Sequence, residues 1–99
     1  MPTTLLAATT DADQSTAFTV KYDEAPVVFR CPGLAGVEVG TLQYQDASEA
    51  WHDYYVDGTL QTITTTNTDL TIYGPGIYRI DKDATAGAAS VEISTRSVP

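Results

Sequence analysis

Apolar and polar side chains alternate with a period of two along much of this chain, which is the pattern of half-buried β-strands. Phe18, Val20 and Tyr22 fall on one face, with polar residues between them. The alternation changes parity at Gly40, which indicates a bulge or bend. The pattern predicts about eight short strands, within residues 16–22, 27–30, 37–44, 51–56, 60–66, 70–73, 76–80 and 90–94.

Turn-forming residues separate these runs about every ten residues, as in antiparallel sandwiches and barrels. Asp57-Gly58 predicts a tight hairpin turn, and Gly74-Pro75-Gly76 can form little other than a turn. No window shows helical periodicity. We therefore expect an all-β protein, an antiparallel β-sandwich of the jelly-roll or Ig-like kind. Residues 1–15 are interpreted as an extended N-terminal arm or a loose first strand, and residues 16–96 as the sandwich domain.

The length of 99 residues fits one domain, and the formal charge of −8 restricts its partners. Five Lys and Arg against thirteen Asp and Glu are too few to neutralise a nucleic-acid backbone, and the same sign disfavours anionic membranes. An acidic surface favours solubility or docking onto a basic surface. No apolar run reaches membrane-spanning length and no signal-peptide pattern opens the chain, so we expect synthesis in a cytoplasm.

Residues that carry chemistry are scarce. His52 and Cys31 are the single histidine and the single cysteine, so the sequence allows no internal disulfide and no ordinary structural zinc site. We interpret His52 as a surface histidine and Cys31 as a buried small residue. The acidic pairs Asp11/Asp13 and Asp81/Asp83 lack the remainder of a calcium loop. We expect no enzyme activity, no cofactor and no metal.

The aromatic residues Trp51, Tyr54 and Tyr55 lie within five positions of one another. Alternation would place Trp51 and Tyr55 on one face of a strand and Tyr54 on the other. Two interpretations stay open. Trp51 anchors the sandwich core, or one face exposes aromatic surface for a protein or a sugar partner.

The C-terminal half also resembles a group of short structural proteins encoded by tailed bacteriophages. The resemblance rests on an aromatic strand beginning at Trp51, the Asp57-Gly58 turn and the Thr-rich strand from Leu60. It continues through Gly74-Pro75-Gly76-Ile77-Tyr78-Arg79, the small-residue loop 84–89, and Val91 to Thr95.

This resemblance implies a virion component, and within that class a capsid decoration (cement) protein that binds the major capsid protein or other virion proteins, often as a trimer. An arm containing Leu5 and Leu6 would then order on binding and add a strand to a neighbour's sheet. Trp51, Tyr54 and Tyr55 are the other candidate contact residues. A phage tail or fibre module and a carbohydrate-binding module using the exposed aromatics remain alternatives.

Overall fold

The computed structural model describes residues 2–22 and 26–95, which form an all-β protein. Met1 and Arg96, at the outer ends of the predicted arm and sandwich domain, lie outside the described residues. No helix in the described part of the chain is long and apolar enough to cross a membrane. The strands are β1 (Pro2–Thr9), β2 (Asp13–Gln14), β3 (Phe18–Val20), β4 (Val27–Arg30), β5 (Gly40–Gln45), β6 (Trp51–Asp53), β7 (Tyr55–Val56), β8 (Thr59–Leu60), β9 (Thr62–Ile63), β10 (Asp69–Ile72), β11 (Gly76–Lys82) and β12 (Ala89–Thr95).

Ten of these strands form two antiparallel sheets with the strand order of a jelly roll, and β7 and β8 pair with each other as a separate two-stranded ribbon. The four-stranded sheet has the order β1-β12-β4-β10, and the six-stranded sheet is built on β2-β11-β5-β6. β2 and β3 pair in succession with β11, and β6 and β9 pair in succession with β5, so each couple is one interrupted strand. Counted in this way the two sheets hold eight strands, and successive strands alternate between the sheets except for β5 and the β6/β9 strand, which are neighbours in the six-stranded sheet. The prediction of an all-β antiparallel sandwich is confirmed.

The core fills the space between the two sheets because the regular strands turn alternate residues inward. β4 buries Val27 and Phe29, and β12 buries Val91 and Ile93. β11 continues the inward series as far as Lys82, whose side chain is fully buried. The remaining fully buried large side chains are Val20, Leu42, Ile63 and Ile80.

The buried ammonium group of Lys82 ties the loops at one end of the sandwich. Its Nζ donates to the carbonyl of Asp83 at 2.8 Å and to Oγ1 of Thr85 at 3.3 Å. Oγ1 of Thr85 also bonds the carbonyls of Thr9 and Gly87. A buried charge is tolerated only when it is hydrogen-bonded, so this residue type at an inward position fixes the path of loop 83–88.

The N-terminal segment forms a strand of the sandwich. β1 pairs with β12, and the side chain of Leu5 is buried in the core. Register shifts between Thr4 and Leu6 and between Leu6 and Thr9 explain why alternation is poor in this segment. The backbone amide of Thr16 donates to the carbonyl of Leu5 at 2.9 Å and links β1 to the β2–β3 segment.

The strand predicted at residues 37–39 is absent, and β5 begins only at Gly40. Val37 is 96% exposed, and the amide of Glu38 donates to the carbonyl of Ala35 in a turn. The carboxylate of Glu38 accepts from the amides of Ala35 and Ala86, each at 2.8 Å. The alternation over three residues predicted a strand wrongly, because Glu38 uses its amide in a turn with Ala35 and its carboxylate to bond the amides of two loops, instead of extending β5.

The single Thr-rich strand predicted at residues 60–66 is also wrong. Leu60 ends β8, Thr62 begins β9, and β9 ends at Ile63. Oγ1 of Thr64 then accepts from the amides of Thr66 and Asn67. Threonine hydroxyls compete with sheet pairing in this way, so a run of threonines indicates either a strand or a turn.

We expect the Glu38 bridge to give the protein acid-sensitive stability. The pKa of Glu38 is lowered because the amides of Ala86 and Ala35 donate to its carboxylate. A depressed pKa contributes stability above the ordinary value of 4.5, and that stability is lost as the pH falls through the folded-state pKa. The Glu38→Gln variant should therefore lose less thermal stability than the wild type when acidified from pH 7 to pH 3. The two losses should differ by on the order of a few degrees in Tm.

Glu49→Gln is the matched control, because the Glu49 side chain is exposed. It should follow the wild-type pH profile. Equal acid sensitivity of the wild type and Glu38→Gln would contradict the assignment.

Candidate interaction surface

The outer face of the six-stranded sheet carries a linked group of one aromatic and three polar side chains. Trp51 is on β6, and the guanidinium carbon of Arg79 lies over its ring, 4.3 Å from the ring centroid. Nε of Arg79 donates to Oε1 of Gln43 at 2.8 Å. Nε2 of Gln43 then donates to Oδ1 of Asp53 at 3.1 Å. Register explains the grouping, since Arg79 is opposite Gln43 and Gln43 is opposite Asp53. We call these four residues the Trp51 face.

The side chains of the Trp51 face bind one another. Trp51 is half-buried, and the Arg79 guanidinium covers part of its ring through a cation–π contact. The side-chain amide of Gln43 already bonds both Arg79 and the carboxylate of Asp53. A sugar-binding platform needs an open aromatic face, so stacking on Trp51 would first require Arg79 to move.

Tyr54 lies on the opposite side from Trp51 and packs against the core. Its ring meets Tyr44 edge-on at 5.8 Å between centroids and Tyr78 edge-on at 5.9 Å. Such pairs contribute beyond their buried area. Tyr54 therefore closes one end of the core and offers little surface to a partner.

Tyr55 lies on a separate small hairpin. β7 and β8 pair only with each other, with Tyr55 opposite Leu60 and Val56 opposite Thr59. Asp57 and Gly58 make the turn with positive φ values of 51° and 79°, as a type I′ turn requires. We call residues 55–60 the Tyr55 hairpin. Tyr55 is 57% exposed and Val56 is 45% exposed, so an apolar pair projects from the edge of the six-stranded sheet.

The base of the Tyr55 hairpin is closed by three backbone hydrogen bonds around Leu42. The amide of Tyr54 donates to the carbonyl of Leu42, and the amide of Leu42 donates to the carbonyl of Gln61. The amide of Gln61 donates to the carbonyl of Tyr54 at 2.9 Å. The hairpin is therefore an excursion from one sheet strand, which leaves at Tyr54 and resumes at Gln61.

The two leucines proposed for partner contact both pack in the molecule itself. Leu5 is 8% exposed and belongs to the core, and Leu6 packs against that core while partly exposed. Leu5 therefore presents no surface to a partner in this fold.

His52 and Cys31 lie at opposite ends of the sandwich. His52 is opposite Tyr44 and its Nε2 lies 2.6 Å from Oδ2 of Asp46, which lowers the pKa of that carboxyl together with the amide of Ala50. Cys31 lies beside Gly40, about 13 Å away along β5 at the usual rise per residue. This separation rules out a Cys–His pair in this fold.

Burial raises the pKa of the Cys31 thiol to about 12, so it is a poor nucleophile. Within residues 2–22 and 26–95, no group of three or more His, Cys, Asp or Glu side chains could hold a metal ion.

A shallow cavity of about 340 Å³ lies near Cys31, between loop 30–34 and residues 64–69. Arg30 on its rim is held by Asp69, with Nε to Oδ1 at 2.8 Å and Nη2 to Oδ2 at 3.3 Å. This pairing raises the pKa of Arg30 and lowers that of Asp69. The guanidinium is thus already occupied and does not form an anion site.

Comparison with known proteins identifies the fold through one solved structure. No protein-family model matches the chain, and no curated protein matches it significantly. The crystal structure of the SPBc2 prophage-derived protein YomS superposes with a TM-score of 0.75 at 14% identity, covering 98% of this chain and 92% of that chain. The two proteins share an all-β fold over nearly their whole lengths.

Proposed function

We propose that this chain is a non-enzymatic structural protein of a phage virion, and specifically a capsid decoration or cement protein. The carrying observation is the fold shared over nearly the full length with a prophage-derived protein. Because the sequence identity is 14%, the comparison supports a shared fold and does not transfer the role of that protein to this chain. The resemblance of the C-terminal half to short phage structural proteins points in the same direction.

The proposed partner is the major capsid protein, or another virion protein, after synthesis in the host cytoplasm. A net charge of −8 fits a basic protein surface and disfavours nucleic acid and anionic membranes. A trimer is the proposed assembly state. A ligand that binds only the assembled shell stabilises it by mass action, which is the physical basis of a cement protein.

Two alternatives use the same fold. Jelly rolls serve as viral shell and lectin domains, and fold alone does not choose between functions. A tail or fibre module is the nearer alternative, since the projecting Tyr55 hairpin suits any protein partner. A carbohydrate-binding module is the weaker one, because Arg79 covers part of the Trp51 ring.

The test is co-sedimentation of the purified chain with empty shells and, separately, with tails of the phage that encodes it. We expect saturable binding to shells, with an affinity that falls as salt rises, and shells that resist heat better when decorated. Binding to tails alone would establish the tail alternative. Binding to neither, with a hit on a glycan array, would replace the structural role with sugar binding.

A further inference from the structure

We infer that the Tyr55 hairpin is the docking element of this protein, and that the surface it fits is a basic protein surface with an apolar recess. The proposed function supplies the identity of that partner as a shell protein. The inference about the hairpin itself rests on three features of the fold.

The first feature is that the sheet does not need the hairpin. β6 and β9 pair with the same strand, β5, and the chain leaves and rejoins it at residues 54 and 61, which are joined by a hydrogen bond. β5 pairs with β6 on one side of the hairpin and with β9 on the other, so its pairing does not depend on the hairpin. A two-stranded ribbon is at best marginally stable by itself, so a hairpin that adds nothing to the sheet points to a use outside it.

The second feature is its exposed apolar surface. Tyr55 and Val56 precede the turn and together place an aromatic ring and a branched side chain in solvent. Aromatic residues of this kind dominate binding energy at protein interfaces because they bury large rigid areas. The type I′ turn at Asp57-Gly58 fixes the geometry in advance, which reduces the entropy lost on docking.

The third feature is charge. Between residues 31 and 78 the sequence has six carboxylates and no lysine or arginine. That stretch forms β5 to β10, so the hairpin and its flanking strands β6 and β9 carry no basic residue of their own, and the cation of the neighbouring β11, Arg79, is already engaged with Trp51 and Gln43. Asp53 and Asp57 flank the exposed pair. A basic surface complements the hairpin and these strands.

The same charge pattern excludes a second copy of this chain as the occupant. Two copies meeting through their hairpins would bring Asp57 of each copy close together, and residues 31–78 supply no cation to lie between them. Like charges at a self-complementary interface are destabilising. The hairpin therefore faces a different protein.

The central variant is the double substitution Tyr55→Ala with Val56→Ser. Its matched control is Tyr22→Ala with Val37→Ser, which makes the same two changes at positions 87% and 96% exposed elsewhere on the molecule. In co-sedimentation with shells we expect the hairpin variant to bind about 30-fold more weakly or worse, as for a hot-spot truncation. The control should bind within about threefold of the wild type. Both should keep the wild-type Tm and circular dichroism spectrum.

Charge is tested separately with Asp57→Asn, because asparagine suits the positive φ of this turn position. We expect weaker binding and a shallower dependence on salt concentration than for the wild type. Asp11→Asn, in a loop remote from the hairpin, is the matched control and should leave both properties unchanged. Equal salt dependence of all three proteins would remove the basic-surface part of the inference.

The outcomes separate the hairpin from the proposed function. Wild-type binding to shells with an equally tight hairpin variant would overturn the hairpin inference and leave the decoration role standing. If the wild type does not bind shells, the hairpin inference is tested by crosslinking. A photo-crosslinker is placed at position 55, and the protein is incubated in lysate of host cells producing the phage. A crosslink to a lysine- and arginine-rich protein segment, absent with the crosslinker at position 22, supports the inference. A crosslink to an acidic segment or to glycan, or none specific to position 55, overturns it.

Discussion

Deleting residues 1–15 is expected to abolish cooperative folding, so that loss of partner binding in this truncation would follow from unfolding. The deletion removes β1, whose side chain Leu5 is in the core, and exposes the edge of β12. It also removes Ser15, whose amide and hydroxyl bond the carbonyl and amide of Ile80. A domain of this size has roughly 5–15 kcal/mol of stability in total, and full burial of one leucine contributes about 1.5–3 kcal/mol.

Circular dichroism melting and one-dimensional NMR of the truncated chain measure this directly. We expect poor chemical-shift dispersion and no sharp melting transition. A matched pair locates the cause: Leu5→Ala should cost about 2–5 kcal/mol, the range for a buried leucine, whereas the partly exposed Leu6→Ala should cost less. A truncated chain that melts like the wild type would show that β1 is an accessory arm after all.

The contrast between β1 and the later strands shows what the sequence can predict. β11 and β12 alternate strictly, and their buried residues are the ones their period of two predicts. β1 carries two irregularities of register, which place the adjacent Leu5 and Leu6 differently from a regular strand. These irregularities depend on the pairing of β1 with β12, so the local pattern of β1 alone did not reveal them.

Long-range pairing also limited the prediction of the interaction surface. The Asp57-Gly58 turn was evident from the sequence, but the fact that its hairpin leaves the sheet depends on β5 pairing with β6 and β9 in succession. Arg79 and Gln43 join Trp51 only through the register of three strands. Within the sequence, the one signal for the excursion is the pair of short apolar runs on either side of Asp-Gly.

Replacing Gly33 by alanine is the second change with a large expected effect, a loss of about 2–6 kcal/mol of unfolding free energy. Gly33 has a φ of +101°, which alanine rarely adopts. A Cβ there would lie 2.4 Å from the carbonyl oxygen of Ala88 and 3.0 Å from the Cα of Ala89. These backbone atoms belong to the last residue of loop 84–88 and the first residue of β12, which the amide of Ser90 holds against the carbonyl of Pro32. Relief would therefore require moving the first residues of a core strand.

Gly36→Ala separates the steric contact from the backbone strain, because Gly36 also has a positive φ, +59°, but a Cβ there meets nothing within 4 Å. Its expected cost is only about 1–2 kcal/mol, that of a left-handed conformation. Urea denaturation of the two variants beside the wild type measures the difference. A loss for Gly33→Ala no larger than that for Gly36→Ala would mean that loop 84–88 yields freely. The Glu38 and Lys82 bonds to that loop would then constrain it far less than their geometry indicates.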